Sequence, residues 1–256
     1  MAVDEAMLEG HAAGETSPTL RVYSWRPAAV SLGRFQQAES SVDLPACRRL
    51  GIDVVRRPTG GRAILHTEQE VTFSVVVSTQ RLGTAGVMDS YRALAGGIIA
   101  ALRSLGLDAR LVERSAPAAS LTMTQDPACF AVRARCDLVI GSSKLVGSAQ
   151  VQRDGFILQQ NSLPLRIRTE DWKKVFLRSA EAPEATGMCD AANRQIPYAE
   201  VAQALRAGFG EAFGASLEDD ELTQNELARA EERVHAVEVL CRAAAERGGR
   251  PGSGES

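Results

Sequence analysis

Near the middle of the chain, Cys129 and Lys144 stand fifteen positions apart, and these two residue types can do acyl chemistry together. A thiolate attacks carbonyl carbon, and an ammonium held beside a thiol favours its thiolate form. Lysine is seldom buried without a partner or a task. Yet Lys144 opens an alternating apolar run, Lys144-Leu145-Val146-Gly147-Ser148-Ala149-Gln150-Val151, that reads as a strand. Cys136 is the competing thiol. It lies within an apolar strand pattern, where burial raises a thiol pKa, and is read as core. Cys47, Cys189 and Cys241 take the same reading. Asp137 reads as an exposed charge at a strand start and is assigned no role.

A second group of residues points to a ligand. In Arg56-Arg57-Pro58-Thr59-Gly60-Gly61-Arg62-Ala63-Ile64-Leu65-His66, the two glycines let backbone approach a bound group with no Cβ in the way. Alone, Gly60-Gly61 would be an ordinary hairpin turn. The flanking Arg56, Arg57 and Arg62, with His66, favour a binding turn. His66 itself fits either hydrogen-bonded packing or a place lining the site.

These residues need elements to hold them. Cys136 to Ile140, Lys144 to Val151 and Phe156 to Asn161 form a predicted three-stranded meander, with turns at Gly141-Ser142-Ser143 and Arg153-Asp154-Gly155. Ser115 to Pro127 is a loop that delivers Cys129. Upstream, residues 2–12 form a short helix with Asp4 and Glu5 in its first turn, where carboxylates suit the helix dipole. Leu20–Trp25 and Ala29–Gly33 are predicted to pair as an edge hairpin. Val42–Leu50 reads as a helix stopped by Gly51, Ile52–Arg57 as a strand, and Ile64-Leu65 and Val71–Val77 as a further pair. Val87–Leu105 is the clearest helix, and its Gly96-Gly97 pair predicts close packing against a sheet. Thr169 is the expected N-cap of a helix through Phe176. Residues 180–195 are expected to be irregular, Tyr198–Phe213 an amphipathic helix, and Leu217–Arg247 a charged helix.

The motifs Cys129-Phe130, then Lys144-Leu145-Val146-Gly147-Ser148-Ala149-Gln150, with the Arg56–His66 block upstream, resemble the lipoate–protein ligase and octanoyltransferase superfamily. Within it the chain is most similar to the cysteine-dependent octanoyltransferases. The resemblance runs from about Asp4 to Phe213, and its first helix suggests that the numbering begins slightly inside the natural chain. It implies an α/β fold of the α+β type: a mixed, largely antiparallel sheet with packed helices, as in the biotin/lipoate ligase catalytic domain. It implies that Cys129 is the nucleophile and that Lys144 assists it. Arg56, Arg57, Thr59, Gly60, Gly61, His66, Gly147 and Ser148 would bind substrate. Octanoyl acyl carrier protein would be the donor. A lipoyl-domain lysine, as in glycine cleavage H protein or a 2-oxoacid dehydrogenase E2, would be the acceptor. No cofactor is needed, since thioester to amide is downhill. At about 0.8 kcal/mol per methylene, an eight-carbon tail gains on the order of 5 kcal/mol in an apolar slot.

Three alternatives stay open: an ATP-dependent lipoate–protein ligase, an octanoyl amidotransferase between lipoyl domains, and a noncatalytic lipoyl-protein binder. The ligases generally carry an accessory domain for which this chain has little room. Thr67 stands where relatives commonly have Asp, and Gln160 where they commonly have His, which leaves Lys144 as the group to assist Cys129. Arg166, Arg168, Lys173, Lys174 and Arg178 form a candidate face for an acidic carrier.

Composition narrows the rest. The chain has 256 residues, 45% of them hydrophobic, enough for one catalytic domain over 1–247 with a disordered tail at 248–256. The formal charge of −3 and the lack of basic blocks interleaved with aromatics argue against nucleic acid. No apolar run reaches membrane-spanning length and no targeting pattern opens the chain, so a cytoplasmic protein without a membrane partner is expected. Five scattered cysteines argue against a disulfide framework. His11, His66 and His235 lack ligand spacing, so no metal is expected.

Overall fold

In chain order, the computed structural model contains α1 (Ala2–Ala12), β1 (Thr19–Tyr23), β2 (Ala29–Leu32), α2 (Ala38–Ser41), α3 (Leu44–Leu50), β3 (Asp53–Arg56), β4 (Ile64–His66) and β5 (Glu70–Ser78). There follow α4 (Thr79–Leu82), α5 (Val87–Ser104), β6 (Arg110–Leu111), β7 (Leu138–Ile140), β8 (Ser143–Arg153) and β9 (Phe156–Pro164). The last part holds α6 (Thr169–Val175), α7 (Met188–Ala191), α8 (Tyr198–Phe213), α9 (Gln224–Ala236) and β10 (Val239–Cys241). The structure describes residues 1–112, 129, 137–177, 185–236 and 239–241. The expected 115–127 loop, the reading of Cys136, Arg178 and the 248–256 tail lie outside them.

Two sheets organise the chain. The larger has the order β1-β5-β9-β8-β7-β6, with every neighbouring pair antiparallel. The smaller has the order β10-β3-β2-β4, and its β2–β3 pair is parallel. This is the mixed, largely antiparallel α/β arrangement expected. Strand β5 explains how the layers meet. Val71, Phe73, Val75 and Val77 on one face join the core with Leu94, Ile98 and Leu102 of α5 and Leu205 and Phe209 of α8. Val76, on the other face, packs with Met7 and Leu8 of α1. Because both faces are covered, the strand is buried at every position but its last. The meander forms as predicted, its turns using Gly141, Asp154 and Gly155 at positive φ.

Several expectations are corrected. β1 and β2 do not pair: β1 edges the large sheet, while β2, buried at all four positions, sits between β3 and β4 in the small one. The two strands expected at Ile64-Leu65 and Val71–Val77 do form, as β4 beside β2 in the small sheet and β5 in the large one. The helix predicted over 42–50 begins at Leu44, because Asp43 caps it by accepting from the Ala46 N–H at 2.8 Å. Thr169 is the first helical residue of α6, and no side chain caps that end. Residues 188–191, expected to be irregular, are α7.

The charged helix predicted from Leu217 starts only at Gln224. Thr223 and Glu226 form a reciprocal capping box there, at 2.9 Å and 3.2 Å. That chain then turns into β10, which pairs antiparallel with β3. Gly97 packs against α8 rather than a sheet: a Cβ there would lie 2.9 Å from the Phe209 ring, whereas one on Gly96 meets nothing within 4 Å. No described helix is long and apolar enough to cross a membrane.

Candidate active site

Lys144 lies in β8, buried, with its register partner Val139 in the short β7. A register shift between Leu138 and Val139 accompanies this pairing. Asp137, just before β7, is buried as well, and its Oδ2 stands 2.9 Å from Lys144 Nζ. On the small sheet's side, Cys129 N–H donates to the Ala63 carbonyl at 2.8 Å, and its half-buried side chain packs against the core that includes Val30, Val54 and Trp172. The two residues therefore meet: Lys144 Nζ is 3.5 Å from Cys129 Sγ and 3.3 Å from the Cys129 carbonyl.

The electrostatics follow from this geometry. Burial alone would lower the Lys144 pKa, but the negative charges of Cys129 and Asp137 outweigh it and hold the ammonium above its ordinary 10.5. A raised lysine pKa keeps the side chain cationic through neutral pH, so it serves as a fixed positive charge and hydrogen-bond donor rather than a base. Tyr91 of α5 shares the site. Burial first, and then the Cys129 charge, push its phenol up, and its hydroxyl bonds to the Gln150 backbone. A thiol, an ammonium and a buried carboxylate so arranged can stabilise a thiolate nucleophile and then an oxyanion at an attacked carbonyl. Among the described residues no cluster of His, Cys, Asp and Glu is placed to hold a metal.

The Arg56–His66 block has two faces. Arg57 is buried and donates to Thr59, Ser31, Gly60 and Arg62, gripping the glycine turn from inside. Thr59 is fully buried and donates to Gln160 Oε1 at 2.9 Å. Gly61, at φ +87°, lies against Arg57 and Ala149, and Gly33 approaches it so closely that a Cβ there would stand 1.9 Å from the Gly61 oxygen. Arg56 instead donates to the Gly33 and Gln36 carbonyls. It lines an open cavity of about 340 Å³ with Arg34, Phe35 and Glu39. A second cavity of about 230 Å³ lies beside Tyr23 and Trp25, and neither is lined by Cys129 or Lys144.

His66 is buried with both ring nitrogens engaged, by Ser31 Oγ at 2.7 Å and Glu70 Oε1 at 2.8 Å, and its face stacks on Trp25 at 4.3 Å. Gly147 is buried opposite Ser162, and Ser148 Oγ donates to Asn161 at 2.8 Å. Asp137, Tyr91, Gly33, Ser31 and Gln160 went unassigned in the sequence reading. Of these, Gln160 carried a signal, as the position where the resembled family commonly has His, and Asp137 a weak one, an acid directly before an apolar strand. Of the basic face, Arg166 pairs with Asp190 at 2.5 Å, Arg168 with Asp171 at 2.5 Å and Lys174 with Asp171 at 3.7 Å.

The fold is similar to that of solved lipoate–protein ligases. Two among the solved structures that align with it show the likeness. One is lipoate-protein ligase A bound with ATP, with a TM-score of 0.76 and 28% identity, covering 91% of this chain and 87% of that one. The other is the bi-partite lipoate protein ligase of Thermoplasma acidophilum, solved as part of an archaeal lipoylation system with its E2 lipoyl domain. Its TM-score is 0.72 at 25% identity, over 91% and 86% of the chains. Residues 1–210 match the lipoyl protein ligase A/B catalytic domain, and the chain belongs to that family. Among relatives, it is 41% identical to octanoyltransferase LipM of Kyrpidia tusciae over 91% of this chain and 89% of the other. It is 38% identical to octanoyltransferase LipM of Symbiobacterium thermophilum, over 92% and 89%.

Proposed function

We propose that this protein is an octanoyltransferase of protein lipoylation, working in the cytoplasm with residues 1–247 as one catalytic unit. The Cys129 thiolate attacks the carbonyl carbon of octanoyl acyl carrier protein. The tetrahedral oxyanion collapses with loss of the carrier's thiolate, which takes up a proton, and leaves an octanoyl thioester on Cys129. The amine of a lipoyl-domain lysine then attacks that thioester and loses a proton. The amide forms and the Cys129 thiolate is released. Lys144 holds the thiolate and donates to the oxyanion in both halves, while Asp137 keeps Lys144 aimed.

The observation that carries this reading is the 3.5 Å contact between Cys129 Sγ and Lys144 Nζ beside Asp137, in a chain similar to octanoyltransferases. Intact mass spectrometry after mixing with octanoyl acyl carrier protein, without ATP, tests it. One octanoyl adduct, cleaved by hydroxylamine, is expected on Cys129. Cys129→Ser should lose that labile adduct and at least about a thousandfold of turnover, as for removal of a covalent nucleophile. Undiminished transfer by Cys129→Ser would discard the mechanism, and transfer that appears only with ATP and free octanoate would favour a ligase.

A further inference from the structure

Arg57 is buried, and all five of its N–H groups have acceptors. Nε donates to Thr59 Oγ1 at 3.0 Å. One terminal nitrogen donates to Ser31 O and Oγ at 2.8 and 3.2 Å, and the other to the Gly60 and Arg62 carbonyls at 2.7 Å each. Every one of these acceptors is neutral. A buried guanidinium ordinarily answers a carboxylate, because an uncompensated charge in a protein interior is costly. Here the carboxylates stand further back, at the ends of two hydrogen-bond relays.

The first relay leaves through Ser31. Its Oγ lies 2.7 Å from His66 Nε2, and His66 Nδ1 lies 2.8 Å from Glu70 Oε1. Thr72 also donates to Glu70 and in turn accepts from Trp25 Nε1 at 2.8 Å. The second relay leaves through Thr59, whose single hydroxyl hydrogen goes to Gln160 Oε1 at 2.9 Å, and Gln160 Nε2 donates to Asp4 Oδ2 at 2.6 Å. Asp4 is fully buried and also accepts from Arg21, Tyr23 and Ser74. On its far side, Arg57 holds the Arg62 carbonyl, and the next carbonyl, that of Ala63, accepts the Cys129 N–H at 2.8 Å. The guanidinium is thus wired backward to two carboxylates and forward to the backbone of the thiol.

We propose that Arg57 is a positioning residue for Cys129: relays ending at Asp4 and Glu70 fix its guanidinium, which sets the Gly60–Ala63 segment against Cys129 and supplies that thiol with a second fixed positive charge. The inference rests on Cys129 being the nucleophile. Arg57 feels the thiol: burial pulls its pKa down to about 10, and the Cys129 charge acts in the opposite direction. The same attraction lowers the cost of the thiolate. Hydrogen bonds in series polarise one another, so both relays act on this one charge and not as separate struts.

The test reads the Cys129 thiol directly and needs no acyl donor. Alkylation by iodoacetamide is followed at the Cys129 peptide by mass spectrometry across pH, beside single-turnover octanoylation and thermal melting. Arg57→Met should raise the alkylation midpoint by about one pH unit, and octanoylation should fall about a hundredfold, the scale of losing one preorganised donor. Gln160→Leu and Glu70→Gln, which leave the guanidinium in place, should each raise the midpoint by less. Combined with Arg57→Met they should add nothing, as for residues acting through a shared partner.

An unchanged midpoint in a folded Arg57→Met protein, or full additivity of the relay variants with it, overturns the proposal. Should Arg57→Met fail to fold, the two relay variants decide: raised midpoints support it and unchanged ones overturn it. If the wild type forms no octanoyl adduct while the midpoints still move, the function proposed above fails and the positioning role stands.

Discussion

Lys144 and Arg57 are both buried cations within electrostatic reach of Cys129, but they are compensated in different ways. Lys144 has a carboxylate 2.9 Å away in Asp137, whereas Arg57 touches only neutral oxygens and meets its carboxylates through intermediates. The difference matches the chemistry of the two groups. Lysine starts from the lower pKa, so burial neutralises it sooner and an anion in contact keeps it an ammonium; arginine starts higher, so Arg57, pulled down to about 10 by burial, is still a cation at neutral pH among neutral partners. Direct pairing gives Lys144 its charge through groups in contact with it, Cys129 and Asp137. Distributed pairing gives Arg57 its place through several.

The largest effect should come from removing the directly paired cation. Lys144→Met combined with Asp137→Asn leaves no buried charge behind, so it isolates the lysine's role. We expect octanoylation to fall about 10²- to 10³-fold, the range for loss of one oxyanion donor, with an upward shift in the Cys129 alkylation midpoint. Single-turnover kinetics would check this, and an unchanged rate would break the contrast between the two cations by making Lys144 merely structural.

Asp137→Asn alone comes next. It breaks a buried ion pair and should cost about 3 kcal/mol in stability by chemical denaturation at neutral pH. The sign of its pH dependence is fixed by the raised Lys144 pKa. Stability from Lys144 is complete below the ordinary value of 10.5 and is lost as pH rises through the higher folded value. With Asp137 neutralised, one of the charges that offsets burial is gone and Lys144 should lose its proton at lower pH, so the variant's alkaline destabilisation should begin earlier than that of the wild type.

Asp4→Asn probes the far end of an Arg57 relay, with a smaller effect of about 2 kcal/mol, comparable to a charge-assisted hydrogen bond. Burial opposes the Asp4 charge, but positive groups nearby, Arg21 among them, and the bonds from Gln160 and Ser74 outweigh it and lower the pKa from 3.8. Its contribution is therefore present above that ordinary value and is lost as pH falls through the lower folded one. Wild type and Asp4→Asn should differ by a constant amount from neutral pH to about pH 5 and converge in stronger acid. A gap that widens on acidification would contradict the assignment.

What could be read in advance follows the same division. Cys129 and Lys144 stood out because their residue types carry reactivity and their segments bracket a turn, and the antiparallel core was visible in the apolar alternation of β8 and β9. Asp137 was missed because an acid at a strand start looks the same whether solvated or buried; its burial depends on the irregular β7–β8 pairing. Asp4 was read correctly as a first-turn acid of α1, yet its relay partner Gln160 is 156 positions away. No local pattern announces such a contact. The short gap between β1 and β2 suggested a hairpin because length is a local cue, while the burial that sends each strand to a different sheet is not. The start of α9 was legible in Thr223-Asn225-Glu226 spacing, a Thr-x-x-Glu box, and was lost under the acidic run before it.

The smallest expected effect separates geometry from stability at the glycine turn. Gly61 sits at φ +87°, and an added Cβ would come within 3.1 Å of an Arg57 terminal nitrogen and 3.9 Å of Ala149 Cβ. Gly60 has no positive φ, and a Cβ there meets nothing within 4 Å. Gly61→Ala should cost about 1–2 kcal/mol for the left-handed backbone and, by displacing the guanidinium, raise the Cys129 alkylation midpoint. Gly60→Ala, one residue away, should do neither. Melting curves and alkylation profiles of the pair would show whether the turn answers to Arg57: if Gly61→Ala lowers the melting temperature while the thiol titrates as before, the turn owes its shape to backbone sterics alone, and Arg57 loses its claim to set the thiol through it.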